Sequence, residues 1–359
     1  MPHGDGFVEE AALSSGLAVV HDAIPARYAS EALLTHYDLR GDLKRIPTEK
    51  DDTFHLMTAG GEFLVKISPP GEHAGIVNLQ SSAMTFAAER APRLPVQTLV
   101  VNSIGQLETR LADPASGAPR ILRVMKYMQG DLLKSGDPSS AQLRQVGKAL
   151  ARLDHALKDF SHDHEDRLLI WDLKHFPRLR GLLDLLEDPR KLAIAESIFD
   201  QFETAVTPLM NSLRWQALHG DFSPFNVVVN ASSEDYVVGI IDFGDTVHSP
   251  VIFDVSVAMA NQLGVDPHEP WRHALDVLAG YRSEYPLEPD EAALLPITAP
   301  ARLLLRALLA QWRASRSPGS RDYLLSHSDG DWERLYAAMA VPPGVVRSAI
   351  HKNTFSPSH

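Results

Sequence analysis

Asp221, Asn226, Asp242 and Asp245 offer four side-chain oxygens or bases within residues 219–245. Between the first pair and the second lie two apolar runs, residues 227–229 and 236–241, joined by the polar segment 230–235. Runs of this kind around a polar turn predict a β-hairpin. An antiparallel hairpin sets the residues entering its first strand beside those leaving its second, so residues 219–226 are expected to face residues 242–245. Hard cations want such oxygens, and Mg²⁺ takes only one or two protein carboxylates, leaving its other positions to water and phosphates. Asp242 with the amide oxygen of Asn226 meets that need and leaves Asp221 as a base. Phosphoryl transfer requires an oriented hydroxyl, clamped phosphates and neutralised charge, and these residue types suffice for it.

Singly, each of these residues has a plainer reading. Asp221 and Asn226 suit a turn before a strand, and Asp242 a strand end. Asp245 braces its loop as readily as it binds a substrate. Asp254 reads as the N-cap of a following helix. His219 reads as a hydrogen-bonding support, because Asp221 already fills the base role. The acidic and histidine-rich residues 162–166 read as a solvated loop, since adjacent side chains cannot all face one ion. The combination of Asp221, Asn226 and Asp242 across a hairpin favours chemistry.

The elements that must position these residues fall into two regions. Residues 24–125 read as short strands, including 54–58, 62–67, 97–101 and 121–127, with one helical stretch at 77–90. After a Gly-, Asp-, Ser- and Pro-rich connection at 130–140, helical periods dominate at 143–157, 193–213, 271–281 and 291–313. The expected fold class is α+β in two lobes: a β-rich N-terminal lobe with a leader over 1–127, and a helical C-terminal lobe over 128–359. The 359 residues suffice for two cores. The net charge of −12 disfavours a nucleic-acid surface. The acidic start and the lack of a long uninterrupted apolar run predict neither export nor a membrane span, and a cytoplasmic location is expected. With no cysteine, disulfides and thiolate metal sites are excluded.

The run His219-Gly220-Asp221-Phe222-Ser223-Pro224-Phe225-Asn226, followed by Ile240-Ile241-Asp242-Phe243-Gly244-Asp245, resembles the signature of aminoglycoside-phosphotransferase and choline-kinase-like enzymes. Residues 247–258 and 37–67 are similar to hydroxylysine kinase and to kinase portions fused to class III aminotransferases. The resemblance implies a protein-kinase-like fold, Asp221 as catalytic base, and Asn226 and Asp242 as Mg²⁺ ligands. It further implies Lys66 as the clamp of the α- and β-phosphates of ATP or GTP, although a lone strand lysine is usually solvated. Residues 47–54, containing Thr48 and no glycine, would cover the phosphates. Tyr127 and Met128 would lie in the lobe connection that reads the nucleotide base. Where the family carries a helix Glu that orients the lysine, this chain has Asn78, with Glu72 and Glu89 as substitutes to consider.

The acceptor implied is a small alcohol: hydroxylysine or a related amino alcohol, with aminoglycosides, homoserine and choline as alternatives. A non-catalytic kinase-like scaffold is the rival of another class, opposed by the joint presence of Lys66, Asp221, Asn226 and Asp242. A cationic acceptor is expected, since Asp245 and the pair Trp171-Asp172 would stand near it and carboxylates beside an aromatic suit an ammonium. Arg302 or Arg306 could hold a carboxylate on the acceptor, or be surface charges.

Overall fold

The computed structural model describes residues 5–16, 21–48, 50–316 and 321–353. Helix α1 (Asp5–Ser14) leads into α2 (Ala26–Tyr37), then strands β1 (Asp42–Ile46), β2 (Asp52–Thr58) and β3 (Gly61–Ile67). Helix α3 (Ala74–Arg90) is followed by β4 (Leu99–Val100), β5 (Thr109–Ala112) and β6 (Pro119–Lys126). These six strands form one antiparallel sheet ordered β1-β2-β3-β6-β4, with β5 also paired to β6. Alternation along the strands divides its faces. Phe54, Leu56, Val65, Ile67, Leu122 and Val124 are buried under α2, together with Ile24 and Leu33. Lys66, between Val65 and Ile67, therefore points from the opposite face.

The C-terminal lobe begins at β7 (Asp131–Leu132) and α4 (Ser140–Leu157), whose start is fixed by a capping box between Ser139 and Gln142. A 3₁₀ segment (Leu173–Leu185) precedes α5 (Pro189–Gln201), β8 (Trp215–Leu218), β9 (Val227–Val229) and β10 (Val237–Ile240). A short 3₁₀ turn (Phe243–Asp245) leads to β11 (Val247–Pro250), α6 (Val251–Ala260), α7 (Arg272–Glu284), α8 (Pro289–Arg316), α9 (Arg321–Ala340) and α10 (Pro343–Asn353). The expected α+β, two-lobed fold is therefore observed, with the helix expected at 77–90 extended to α3 and the 97–101 strand reduced to β4. The helix expected over 193–213 divides at Phe202 into a π turn and a 3₁₀ turn. Packing of α4 on α7 depends on glycine: a Cβ on Gly147 would lie 1.9 Å from the Val277 carbonyl oxygen.

Two features differ from the sequence reading. Phe7, Val8, Ala11 and Ala12 of α1 join the large core of the C-terminal lobe, where Arg178 lies over the Phe7 ring at 3.6 Å. The leader helix thus packs with the C-terminal lobe rather than with the sheet, because its apolar face finds the 3₁₀ segment there. Helix α8 is long and apolar enough by composition to cross a membrane, and 89% of that window is buried inside the protein. Its apolar residues serve the core.

Candidate active site

Two antiparallel ladders bracket residues 219–226. In one, β9 pairs with β10, matching Val227 to Ile240 and Val229 to Val237 across a bulge. In the other, β8 pairs with β11, matching Leu218 to Val247. The connections emerging between them, residues 219–226 and 241–246, are held together where the Ile241 amide donates to the Asn226 carbonyl at 3.0 Å. The juxtaposition expected of the hairpin is therefore present. Gly220 makes it tight: its φ is +81°, and a Cβ there would stand 2.2 Å from the Asp245 carbonyl oxygen.

Asp221 is partly open to the cleft, with 30% of its side chain exposed. The Asn226 amide nitrogen donates to its Oδ2 at 2.8 Å and to its carbonyl at 2.9 Å. That bond leaves the amide oxygen of Asn226 on the side away from Asp221. On the other side, the Arg302 guanidinium reaches Asp221 Oδ1 at 3.4 Å and the Trp171 carbonyl at 2.7 Å. Only 3% of Arg302 is exposed, so it is no surface charge. Its guanidinium also lies 5.7 Å from the Trp171 ring centroid.

Asp242 adopts a left-handed backbone, φ 62° and ψ 76°, uncommon for a residue with a Cβ. Its Oδ1 meets Lys66 Nζ at 3.0 Å and accepts the Gly244 amide at 3.2 Å. Burial alone would raise its pKa, but Lys66, with His219 and the Gly244 amide, holds it down at about 2. Asp245 goes the other way. Burial and the neighbouring Asp221 raise its pKa to about 6, against the pull of Arg167 and Arg302. A carboxylate and an amide oxygen on adjoining loops are donor types that suit Mg²⁺, with Asp242 lining the cleft and Asn226 behind Asp221. Among the described residues, no group of three or more His, Asp or Glu side chains could hold a metal alone. A cation here would therefore depend on phosphate oxygens as well.

Lys66, Thr48, Asp221, Asp242, Asp245, Trp171 and Arg302 all line one cleft of about 520 Å³. Tyr127 and Met128 lie off it in the lobe connection. There Tyr127 stacks on His55 with ring centroids 4.1 Å apart, and its amide continues the sheet by donating to Glu62 at 3.1 Å. The Thr48 hydroxyl is tied within its own loop to Thr53 at 3.1 Å. Asp172 is a correction. It is 6% exposed, caps the 3₁₀ segment through the Lys174 amide at 3.0 Å and takes the Ser249 hydroxyl at 2.8 Å. Its carboxylate serves that junction and does not line the cleft.

Several supports escaped the sequence reading. Asp254 is no N-cap: it lies inside α6, where its two oxygens accept the His219 and Gly220 amides at 3.0 Å each. Behind it, Asp154 is pushed well above the usual carboxylate range by burial and by Asp254, and Tyr281 donates to it at 2.7 Å. His219 does act as a support, receiving the Asp221 amide on Nδ1 and setting Nε2 3.1 Å from the Ile241 carbonyl. Lys66 has no acidic partner from α3. Asn78 turns to Glu108 and His162, Glu72 pairs with Lys50 at 2.8 Å, and Glu89 is exposed. Besides Asp242, the carboxylate near Lys66 is Asp51, at 3.9 Å, which also lies 4.0 Å from Arg123. From α3 it is Gln80 that reaches the 241–246 loop, donating to the Gly244 carbonyl at 3.2 Å, where Arg167 adds a second bond at 2.9 Å. The 162–166 loop is accordingly docked in part, with Glu165 accepting the His248 amide at 2.8 Å.

Comparison with known proteins agrees with this geometry. Residues 42–295 match the phosphotransferase enzyme family model. Hydroxylysine kinase of Danio rerio is 26% identical over 301 residues, covering 80% of this chain and 84% of that protein. A microcompartment-associated aminopropanol kinase superposes with a TM-score of 0.68 at 20% identity, over 88% of this chain and 98% of that one. Amicoumacin kinase, solved with AMP-PNP and Ca²⁺, gives 0.65 at 14% identity, over 89% and 95%. The chain belongs to the phosphotransferase enzyme family and is a small-molecule kinase, transferring phosphate to an alcohol group.

Proposed function

We propose that this kinase moves the γ-phosphoryl group of ATP or GTP to the hydroxyl of a small amino alcohol or hydroxy amino acid of the hydroxylysine kind. The observation that carries the reading is the setting of Asp221. Its carboxylate is oriented by the Asn226 amide and Arg302, half open to a cleft whose far wall carries the Lys66–Asp242 pair. A hydroxyl placed at Asp221 gives its proton to the carboxylate as its oxygen bonds to the γ-phosphorus. The bond to the departing nucleoside diphosphate then breaks.

Lys66 meets the phosphates as a point charge from the sheet, and the loop bearing Thr48 lies over them. Tyr127 and Met128 place backbone groups where the two lobes join, beside the nucleotide base. Asp242 and the Asn226 amide oxygen would hold Mg²⁺, which when bound neutralises charge on the phosphate oxygens. Arg302, fixed against Trp171, keeps the base aimed into the cleft. Sequence relatedness to hydroxylysine kinase supports the acceptor class. The test is a transfer assay with hydroxylysine, 1-amino-2-propanol, homoserine, choline and an aminoglycoside, each with ATP and GTP, with and without Mg²⁺. Hydroxylysine or a near analogue should turn over best and only with the metal. Nucleotide binding without transfer to any alcohol would instead favour a scaffold.

A further inference from the structure

Beside the catalytic cleft lies a second cavity of about 830 Å³, and Trp171, Phe225 and Arg306 line both. The two spaces adjoin across these side chains. One face of α8 runs through them: Arg302, Arg306, Ala310 and Arg313 recur at helical spacing. Arg302 touches Asp221, whereas Arg306, Ala310 and Arg313 line the second cavity. At 1.5 Å per residue, Arg306 stands about 6 Å further along the helix than Arg302.

The charge of this cavity is opposite to that of the chain. The protein carries a formal −12, yet Lys134, Arg306 and Arg334 face one lining carboxylate, Asp331. Arg306 is fixed as a positive wall, bonded to Asp331 at 3.0 Å and to Asn261 at 2.6 Å. Arg334 is held loosely, 3.9 Å from Asp331. The Lys134 ammonium rests 4.4 Å from the Phe225 ring centroid and, among the described residues, has no carboxylate partner. Closer to the base, Arg302 Nε is buried without a hydrogen-bond partner. Cations gathered in a concavity next to a base repel one another unless an anion joins them.

We propose that the second cavity is an anion subsite for the acceptor: Lys134 and Arg334, beside the wall of Arg306, bind a carboxylate on the molecule whose hydroxyl sits at Asp221. The assignment rests on the phosphoryl-transfer reading and narrows it from amino alcohols to hydroxy amino acids. Arg302, which touches Asp221, and Arg306, which lines the second cavity, stand one helical turn apart, on the scale of a short hydroxy amino acid. An aminoglycoside or a simple amino alcohol brings only cations to this wall. A phosphate monoester shares the required oxyanion chemistry, so it belongs in the test.

The experiment compares hydroxylysine, its decarboxylated amine and a phosphorylated amino alcohol that keeps a free hydroxyl with the wild type and with the Lys134→Gln/Arg334→Gln double variant. Both side chains lie on the cavity rim, and thermal unfolding checks that the fold is kept. The wild type should prefer hydroxylysine to the amine by about ten- to a hundredfold in kcat/KM, as charge-assisted bonds to one carboxylate predict. In the double variant that ratio should collapse towards one, through KM for the acid, with the nucleotide KM unmoved. Calorimetric binding of hydroxylysine without nucleotide should weaken in parallel. Equal use of acid and amine by the wild type would overturn the subsite while leaving the kinase reading intact. So would absent hydroxylysine binding, a shift in nucleotide KM, or preference for the phosphorylated alcohol. Binding lost in the variant with no phosphoryl transfer to any alcohol would do the reverse, keeping the subsite and removing the kinase reading.

Discussion

The two walls of the cleft hold their charged side chains by different means. On the C-terminal wall, Asp221 and Asn226 sit in a short loop pinned by backbone bonds: Asp254 takes its amides, Asn226 takes Ile241, and Gly220 lets Asp245 close over it. On the sheet wall, Lys66 is aimed by charges from distant parts of the chain, Asp51 and Asp242, while Gln80 and Arg167 steady the Gly244 carbonyl next to Asp242. Backbone pinning yields a rigid Asp221 loop. Ionic aiming leaves Lys66 and Asp242 able to rearrange when other charges enter the cleft.

The largest expected effect lies where the walls meet. Asp242→Ala should abolish Mg²⁺-dependent nucleotide binding together with turnover, because the phosphates then lose their bridge to the C-terminal lobe. Retained metal-dependent binding, seen by calorimetry, would show that the metal is held elsewhere. On the sheet wall, Lys66→Ala should raise nucleotide KM about tenfold or more with little change in acceptor KM. Asp51→Asn should reproduce a fraction of that defect, which steady-state kinetics with both substrates would reveal. If Asp51→Asn leaves nucleotide KM untouched, Asp51 does not aim the lysine.

On the pinned wall, Asp254→Ala should cost about 3 kcal/mol in urea unfolding, since two buried amides lose their acceptor. It should also lower kcat with only a small change in nucleotide affinity. The smallest effect concerns the proton on Asp154. Burial and Asp254 raise its pKa in the folded state, so the folded protein keeps a proton that the unfolded chain releases at about pH 4. Stability from this group is full below that pH and declines as pH rises towards the folded value. Asp154→Asn should flatten the decline, as urea midpoints between pH 5 and pH 9 would show. An unchanged slope would mean that no such proton is held.

The same contrast explains what the sequence disclosed. The hairpin and its flanking Asp221, Asn226 and Asp242 were legible because short apolar runs around a polar turn are local signals, and the topology that brings their ends together follows from them. Lys66 was legible as a strand residue but its partners were not. Asp51 belongs to the loop before β2, and no periodicity links it to Lys66 or Arg123. Asp254 was read as a cap because its place at a helix start is local, whereas its bonds reach back to residues 219 and 220. Asp172 failed for the converse reason: proximity to Trp171 in sequence says nothing about which way a buried carboxylate turns. The 3₁₀ segment Leu173–Leu185, interrupted by Pro177, carries no helical period to find. The face of α8 was legible as a helix, but its alignment with Asp221 needed the folded chain.

The decisive measurement is kcat for Mg²⁺-dependent phosphoryl transfer to hydroxylysine by Asp221→Asn, taken alongside its nucleotide affinity. A fall of about two to four orders of magnitude with nucleotide binding preserved is the expected result for loss of a general base. A variant that keeps most of its kcat would contradict it.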